Sequence, residues 1–231
     1  MSTPVYGNYQ PFFSVVICTF NRADRLPQAI DSVINQKETD WEIIVVDDSS
    51  SDDTTEVVKR YISRGVRLRY LYHGNRGTAL SRNAGITAAA GLFVTFLDSD
   101  DYYRQDHLFV RRQILIENPE IDLLHGGVTI IGSEFVPDKN DPERLISIKS
   151  CVVGGTFVMR RDAILDLDGF PPVRFADDTQ FFEKVIQADM SVARIDIPSY
   201  VYVRTSPDSL CNIVERSGLE GIEEYVRDNQ N

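Results

Sequence analysis

Early in the chain, apolar positions alternate between two spacings. "FFSVVICTF" (12–20) is a nearly continuous apolar run of strand length, and "ADRLPQAIDSVINQ" (23–36) follows it with Leu26, Ala29, Ile30, Val33 and Ile34 at helical spacing. The unit then repeats. "WEIIVVDD" (41–48), "VRLRYLYH" (66–73) and "LFVTFLD" (92–98) read as strands, with "SDDTTEVVKRYIS" (51–63) and "TALSRNAGITAAAG" (78–91) as the helices between them. Strands buried on both faces and joined through helices by short connections predict an α/β fold, a Rossmann-like, mostly parallel sheet with helices on both faces. Ligands of such sheets bind at the carboxyl ends of the strands. Those ends carry "CTFNR" (18–22), "DDSS" (47–50) and "DSDD" (98–101), so polar clusters are expected to converge on one rim.

Beyond Asp101 the rhythm changes. "DHLFVRRQILIEN" (106–118) reads as a helix, but "IDLLHGGVTIIG" (121–132), "RLISIK" (144–149) and "GTFVMRR" (155–161) read as strands without long helices between them, a mixed half fused to the first. A helix over 179–188 and strands over 191–197 and 200–204 follow. The stretch "RSGLEGIEEYVRDNQN" (216–231) predicts a weak amphipathic helix with a fraying end, and "VPDKNDPE" (136–143) predicts a mobile loop. The organisation expected is a single domain with halves 12–101 and 102–205 and a tail 206–231.

Composition narrows the partners. The 231 residues suffice for a sizeable core, and a formal net charge of −11 argues against nucleic-acid partners, whose phosphates draw on clustered Lys and Arg. Cys18, Cys151 and Cys211 are scattered without CxxC spacing, which suits structural thiols in a reducing compartment. The chain begins without a basic and apolar leader pattern, and no run reaches the ~18 apolar residues of a membrane span. The location expected is cytoplasmic, with the inner face of a membrane open as a place of peripheral work.

The acidic rim is the first chemical signal. Asp98, Asp100 and Asp101 repel one another unless a cation neutralises them, and hard oxygen donors without a Cys/His cluster favour Mg²⁺ or Mn²⁺. Such an ion takes further ligands from phosphates, so a phosphate-bearing ligand is implied; the plainer reading is a turn cap before the next helix. In "GTALSRNAG" (77–85), Arg82 sits in the first turns of a helix, where a cation opposes the dipole unless an anion lies near; with Arg76 it is a candidate diphosphate contact. In "VVDD" (45–48), Asp48 could accept a uracil imide N–H while Phe20 packs the ring, although Asp53 and Glu56 also stand at capping-box spacing there. In "FADDTQFFEKV" (175–185), Asp177 and Gln180 have the same spacing, which makes Asp177 the cap and leaves Asp178 free. A helix start keeps Asp178 ionised, as a general base requires.

Together these stretches resemble the family 2 glycosyltransferases, inverting enzymes of the GT-A fold. "FFSVVICTFNRADRLPQAIDSVINQ", "WEIIVVDDSSSDDT" and "NRGTALSRNAGITAAAGLFVTFLDSDD" are similar to the family's opening strand and turn, its acidic second strand and its block ending in the metal motif. Cys18 and Phe20 stand where the family commonly has Pro and Tyr. The resemblance implies a nucleoside-diphosphate sugar donor, most readily a UDP sugar, in the first half and a saccharide or lipid-linked acceptor in the second. It implies that Thr19, Phe20 and Arg22 line the nucleotide, Asp48 holds the uracil, Asp98 lies near ribose or sugar and Asp100 binds the metal. "ADDTQFF" is similar to the family's Glu-Asp base motif, with Asp177 in the Glu position and Asp178 as base. "YVYVRTSPDSL" (200–210) is similar to a late Arg loop, which implies a diphosphate contact for Arg204.

Other readings fit less of the chain. "ILDLDGF" (164–170) looks like a haloacid-dehalogenase nucleophile motif but lies in a helical context and lacks the following Thr, and a receiver domain would carry its acidic pair after the first strand. A catalytically silent nucleotide-binding module is the competing class, and Asp178 separates the two, because binding alone needs no base. His73, His107 and His125 are isolated and read as packing or surface residues.

Overall fold

The computed structural model describes residues 6–7, 9–205 and 208–229. The predicted rhythm of the first half is observed as β1 (Phe13–Thr19), α1 (Leu26–Ile34), β2 (Trp41–Asp47), α2 (Thr54–Ser63), β3 (Leu68–Tyr72), α3 (Thr78–Ala88) and β4 (Phe93–Asp98). Alternation sets the two faces of the sheet. Val15, Ile17, Ile43 and Val45 pack into one buried cluster with α1 and α2, while Val16, Ile44 and Val46 pack into another with Ala79 and Ile86 of α3. Each fully buried Val, Ile or Phe contributes about 1.5–3 kcal/mol relative to exposure, so the register is strongly fixed. Pro27 stands in the first turn of α1, where its missing N–H leaves no intrahelical bond unmade.

The second half contains β5 (Tyr102–Tyr103), α4 (His107–Glu117), β6 (Leu123–Gly132), β7 (Phe135–Pro137) and β8 (Leu145–Ser147). After 3-10 turns at Ile148–Ser150 and Gly154–Thr156 come β9 (Val158–Arg160), α5 (Arg161–Asp166), α6 (Asp177–Gln187), β10 (Val192–Arg204), α7 (Leu210–Ser217) and α8 (Glu220–Asp228). One eight-stranded sheet runs in the order β3-β2-β1-β4-β9-β6-β10-β5, and β7 pairs with β8 in a separate hairpin. β9 is antiparallel to both β4 and β6, and β5 is antiparallel to β10, so the sheet is mostly parallel with two reversals.

Four details differ from expectation. The strands read over 191–197 and 200–204 are one strand, β10, whose register against β6 slips between Ile195 and Tyr200. Opposite the slip, Gly127 has φ 76, and a Cβ there would stand 2.1 Å from the Ile197 carbonyl oxygen, so the bulge requires glycine. The stretch expected as a mobile loop begins inside β7. The tail forms two helices: Ile213, Val214 and Ile222 are buried together, with Phe175 from the loop before α6 packed against them. Asp53 makes no side-chain cap; Asp52 accepts the Thr54 N–H at 3.0 Å instead.

Among the described residues, no helix is long and apolar enough to cross a membrane.

Candidate active site

Parallel register brings the polar strand ends together. Thr19 pairs with Asp47 across β1 and β2, and Cys18 with Asp98 across β1 and β4, so the segments singled out in the sequence end on one rim. Above that rim lies a cleft of about 600 Å³. Thr19, Phe20, Arg22 and Asp48 line its strand side, Arg82, Asp98 and Asp100 its centre, and Asp177 and Asp178 the wall formed by α6. Arg76 and Arg204 are not among the lining residues. Arg76 is exposed and meets Asp48 only through its backbone N–H. Arg204 is 3% exposed and donates to the Phe135 carbonyl oxygen at 3.0 Å, held there because β10 turns that side chain toward β7.

Arg82 joins the two halves. Its Nη1 donates to Asp177 Oδ2 at 2.7 Å and its Nη2 to Asp98 Oδ1 at 3.0 Å, so the anions beside this early-helix cation are side chains of the protein. Burial opposes its charge, but Asp177 and Asp98 outweigh burial and hold the guanidinium well above its usual range. This ion pair also explains why Asp177 does not cap α6: the cap position is Ala176, in a left-handed conformation, and Asp177 is the first helical residue. Asp178 projects from the second position. Its Oδ2 accepts the Gly154 N–H at 3.0 Å and its Oδ1 the Thr179 N–H at 2.7 Å. Burial first and the Asp177 charge second push its carboxyl up, to about 6, against the helix-start effect that favours the ionised form. Gly154 is required there by space, because a Cβ would lie 2.8 Å from Asp178 Cβ and 3.1 Å from Arg82 Nη1.

At the rim, burial and the neighbouring Asp98 push the Asp100 carboxyl up to about 6. Asp101 turns away from the cleft and accepts from Tyr200 Oη at 2.6 Å and the Val203 N–H at 2.7 Å, tying β10 to the end of β4. Among the described residues no set of three or more His, Cys, Asp or Glu is gathered as a metal cage. Asp98 and Asp100 still suit a hard divalent ion, which needs one or two carboxylates and completes its shell from water and phosphate. Their mutual repulsion is what such an ion relieves. None of the three histidines lines the cleft; His107 is stacked on Tyr103 at 3.7 Å and His125 packs near Phe182.

Asp48 is already engaged. Its Oδ1 and Oδ2 accept the N–H groups of Arg76 (2.7 Å) and Gly77 (2.8 Å), which fixes the loop before α3. Beside it, Thr19 Oγ1 and Asn75 Oδ1 are buried without a partner among the described residues, and both side chains line the cleft. Asn75 was not legible as a site residue, since one Asn in "HGNRG" looks like turn chemistry. The tail was missed as well. Asp208 pairs with Arg22 (2.7 Å) and Arg25 (2.9 Å), Tyr225 meets Phe20 edge-on at 6.2 Å, and Tyr225 Oη accepts from Arg22 at 3.1 Å. Its only signal was the apolar spacing of Ile213, Val214 and Ile222.

Comparison with known proteins follows the same outline. A family model described as "Glycosyl transferase family 2" matches residues 14–167. An Escherichia coli UDP-Glc:alpha-D-GlcNAc-diphosphoundecaprenol beta-1,3-glucosyltransferase, WfgD, is 28% identical over 168 residues, 71% of this chain and 66% of that protein. The crystal structure of Staphylococcus aureus TarS 1–349 in complex with UDP-GlcNAc superposes with a TM-score of 0.71 at 24% identity, covering 84% of this chain and 59% of that one. A Pyrobaculum calidifontis mannosyltransferase in complex with GDP-Man and Mn²⁺ gives a TM-score of 0.68 at 22% identity, covering 88% and 59%. The fold is thus shared with GT-A-like glycosyltransferases. The chain spans less than two-thirds of the length of the first curated relatives it matches, 63% and 66%.

Proposed function

The chain belongs to glycosyl transferase family 2, and on that premise we propose that it moves a sugar from a nucleoside-diphosphate donor, a UDP sugar, to an acceptor hydroxyl with inversion of the anomeric carbon. The observation that carries this reading is the meeting of Asp98, Asp100 and Asp178 in one cleft. The donor base lies against Phe20, with Thr19 Oγ1 and Asp48 at its polar edge and Arg22, held by Asp208, lining the nucleotide side. Asp178, anchored by two backbone N–H groups, takes the proton of the acceptor hydroxyl. The new bond joins the acceptor oxygen to the anomeric carbon as the bond from that carbon to the diphosphate oxygen breaks. Asp100, with Asp98 beside it, would hold Mg²⁺ or Mn²⁺, which when bound would neutralise charge on the departing diphosphate. Arg82 keeps the two walls in register.

The relative that acts on a diphosphoundecaprenol-linked sugar supports a lipid-linked saccharide as acceptor, and with it peripheral work at the inner face of a membrane. The neighbour with GDP-Man and Mn²⁺ supports a divalent ion. The test is release of nucleoside diphosphate from a panel of UDP and GDP sugars, with a diphosphoprenyl saccharide as acceptor, in Mg²⁺, Mn²⁺ and EDTA. Acceptor-dependent release from a UDP sugar that EDTA abolishes is expected. Nucleotide binding without release from any donor would leave a silent binding module.

A further inference from the structure

We propose that Arg174 binds a diphosphate in this cleft, an inference that rests on the donor assignment above. The charge balance of the cleft leads to it. Among the described residues four cationic side chains line the cleft, Arg22, Arg82, Lys139 and Arg174, against eight carboxylates. Three of the four are committed: Arg22 to Asp208, Arg82 to Asp98 and Asp177, and Lys139 to Glu183. Arg174 has no hydrogen bond or ion pair among the described residues and is exposed. A diphosphate entering a wall so rich in carboxylates needs a cation that can leave nothing behind unpaired, and only Arg174 meets that condition among the four.

Its position agrees. Arg174 lies in the loop that leads into α6, and it reaches back across the cleft to α3. Its Nη1 and Cδ are each 3.8 Å from where a Cβ on Gly77 would stand, immediately before the first turn of α3. The guanidinium therefore lies near the N-cap residue of α3, on the side of the cleft where the helix dipole also favours an anion. A planar fork of donors matches phosphate oxygens better than a lysine does. Because its loop continues directly into Asp177 and Asp178, an anion held by Arg174 also steadies the start of the helix that carries the base.

Experiment distinguishes two sources of the diphosphate: the donor's leaving group and the head of a lipid-linked acceptor. Calorimetry with Mg²⁺ compares wild type, Arg174→Gln and Arg174→Lys for UDP, uridine and farnesyl diphosphate. Expected is a loss of UDP affinity of about tenfold in Arg174→Gln, partial recovery in Arg174→Lys and unchanged uridine affinity, since the substitution removes a charge-assisted hydrogen bond to the diphosphate and leaves the base contacts in place. A loss confined to farnesyl diphosphate assigns Arg174 to the acceptor's diphosphate. Unchanged affinity for UDP and farnesyl diphosphate, or equal losses for UDP and uridine, overturns the inference. Wild-type protein that binds neither UDP nor uridine sinks the donor assignment itself, which is a different result from a wild type that binds and a variant that binds equally well.

Discussion

Asp178 is subject to opposing demands. Burial and Asp177 favour the protonated carboxyl, whereas accepting a proton from a hydroxyl requires the ionised one. A value pushed up to about 6 makes it a stronger base than an ordinary carboxylate while leaving it largely ionised at neutral pH. The rate of transfer is therefore expected to rise with pH up to about 6 and flatten above, read from kcat between pH 5 and 8. Asp178→Asn should lower transfer by ~10²–10⁴ with nucleotide affinity almost unchanged in calorimetry; a wild-type rate would remove Asp178 from the chemistry. Asp100→Asn should make nucleotide binding less responsive to Mn²⁺, and an undiminished response would remove Asp100 from the ion. Asp100 was legible because an acidic cluster ends an apolar run, and Asp178 because Asp177 and Gln180 stand at capping-box spacing beside it. The partners of Arg82 were not, because Asp177 stands 95 positions away in sequence and only tertiary contact selects it over a phosphate.

The 3-10 turn Gly154–Thr156 shows how a short segment positions the carboxylate proposed as the base. The strand expected over 155–161 begins only at Val158, and the sequence carries no sign that the Gly154 N–H holds a carboxylate from a helix 24 residues on. Gly154→Ala introduces a methyl into the gap between Asp178 and Arg82, an overpacking that costs about 1–3 kcal/mol. Because a displacement near 1 Å costs on the order of 10² in rate, kcat is expected to fall more than stability does, with nucleotide affinity preserved. Equal kcat in wild type and variant would make the turn mere packing. Long elements fared better: α1, α2 and α3 carry enough periodic apolar positions to be read singly. β5, a two-residue strand, carries no periodicity and exists only because β10 pairs with it.

The two halves are held by a continuous sheet and by the buried charges at its centre. Arg82→Met removes the cation between Asp98 and Asp177, and stability is expected to drop by about 3 kcal/mol, the lower end for a broken buried pair because the Asp98 side chain keeps 30% of its exposure. Denaturant midpoints read this; an unchanged midpoint would mean that solvent in the cleft replaces the pair. The sheet order, which no local pattern specified in the second half, has a consequence for synthesis. β4 must wait for β9 to cover its free edge, and β6 must wait for β10, the last strand made. At ~5–20 residues per second, the roughly hundred residues from Asp98 to Arg204 take on the order of 5–20 s to leave the ribosome. A nascent chain arrested before residue 177 thus carries Asp47 and Asp48 at the end of β2 and Asp98 and Asp100 at the end of β4 but not the helix with Asp178, and on the function proposed above such a fragment would hold nucleotide without turning it over.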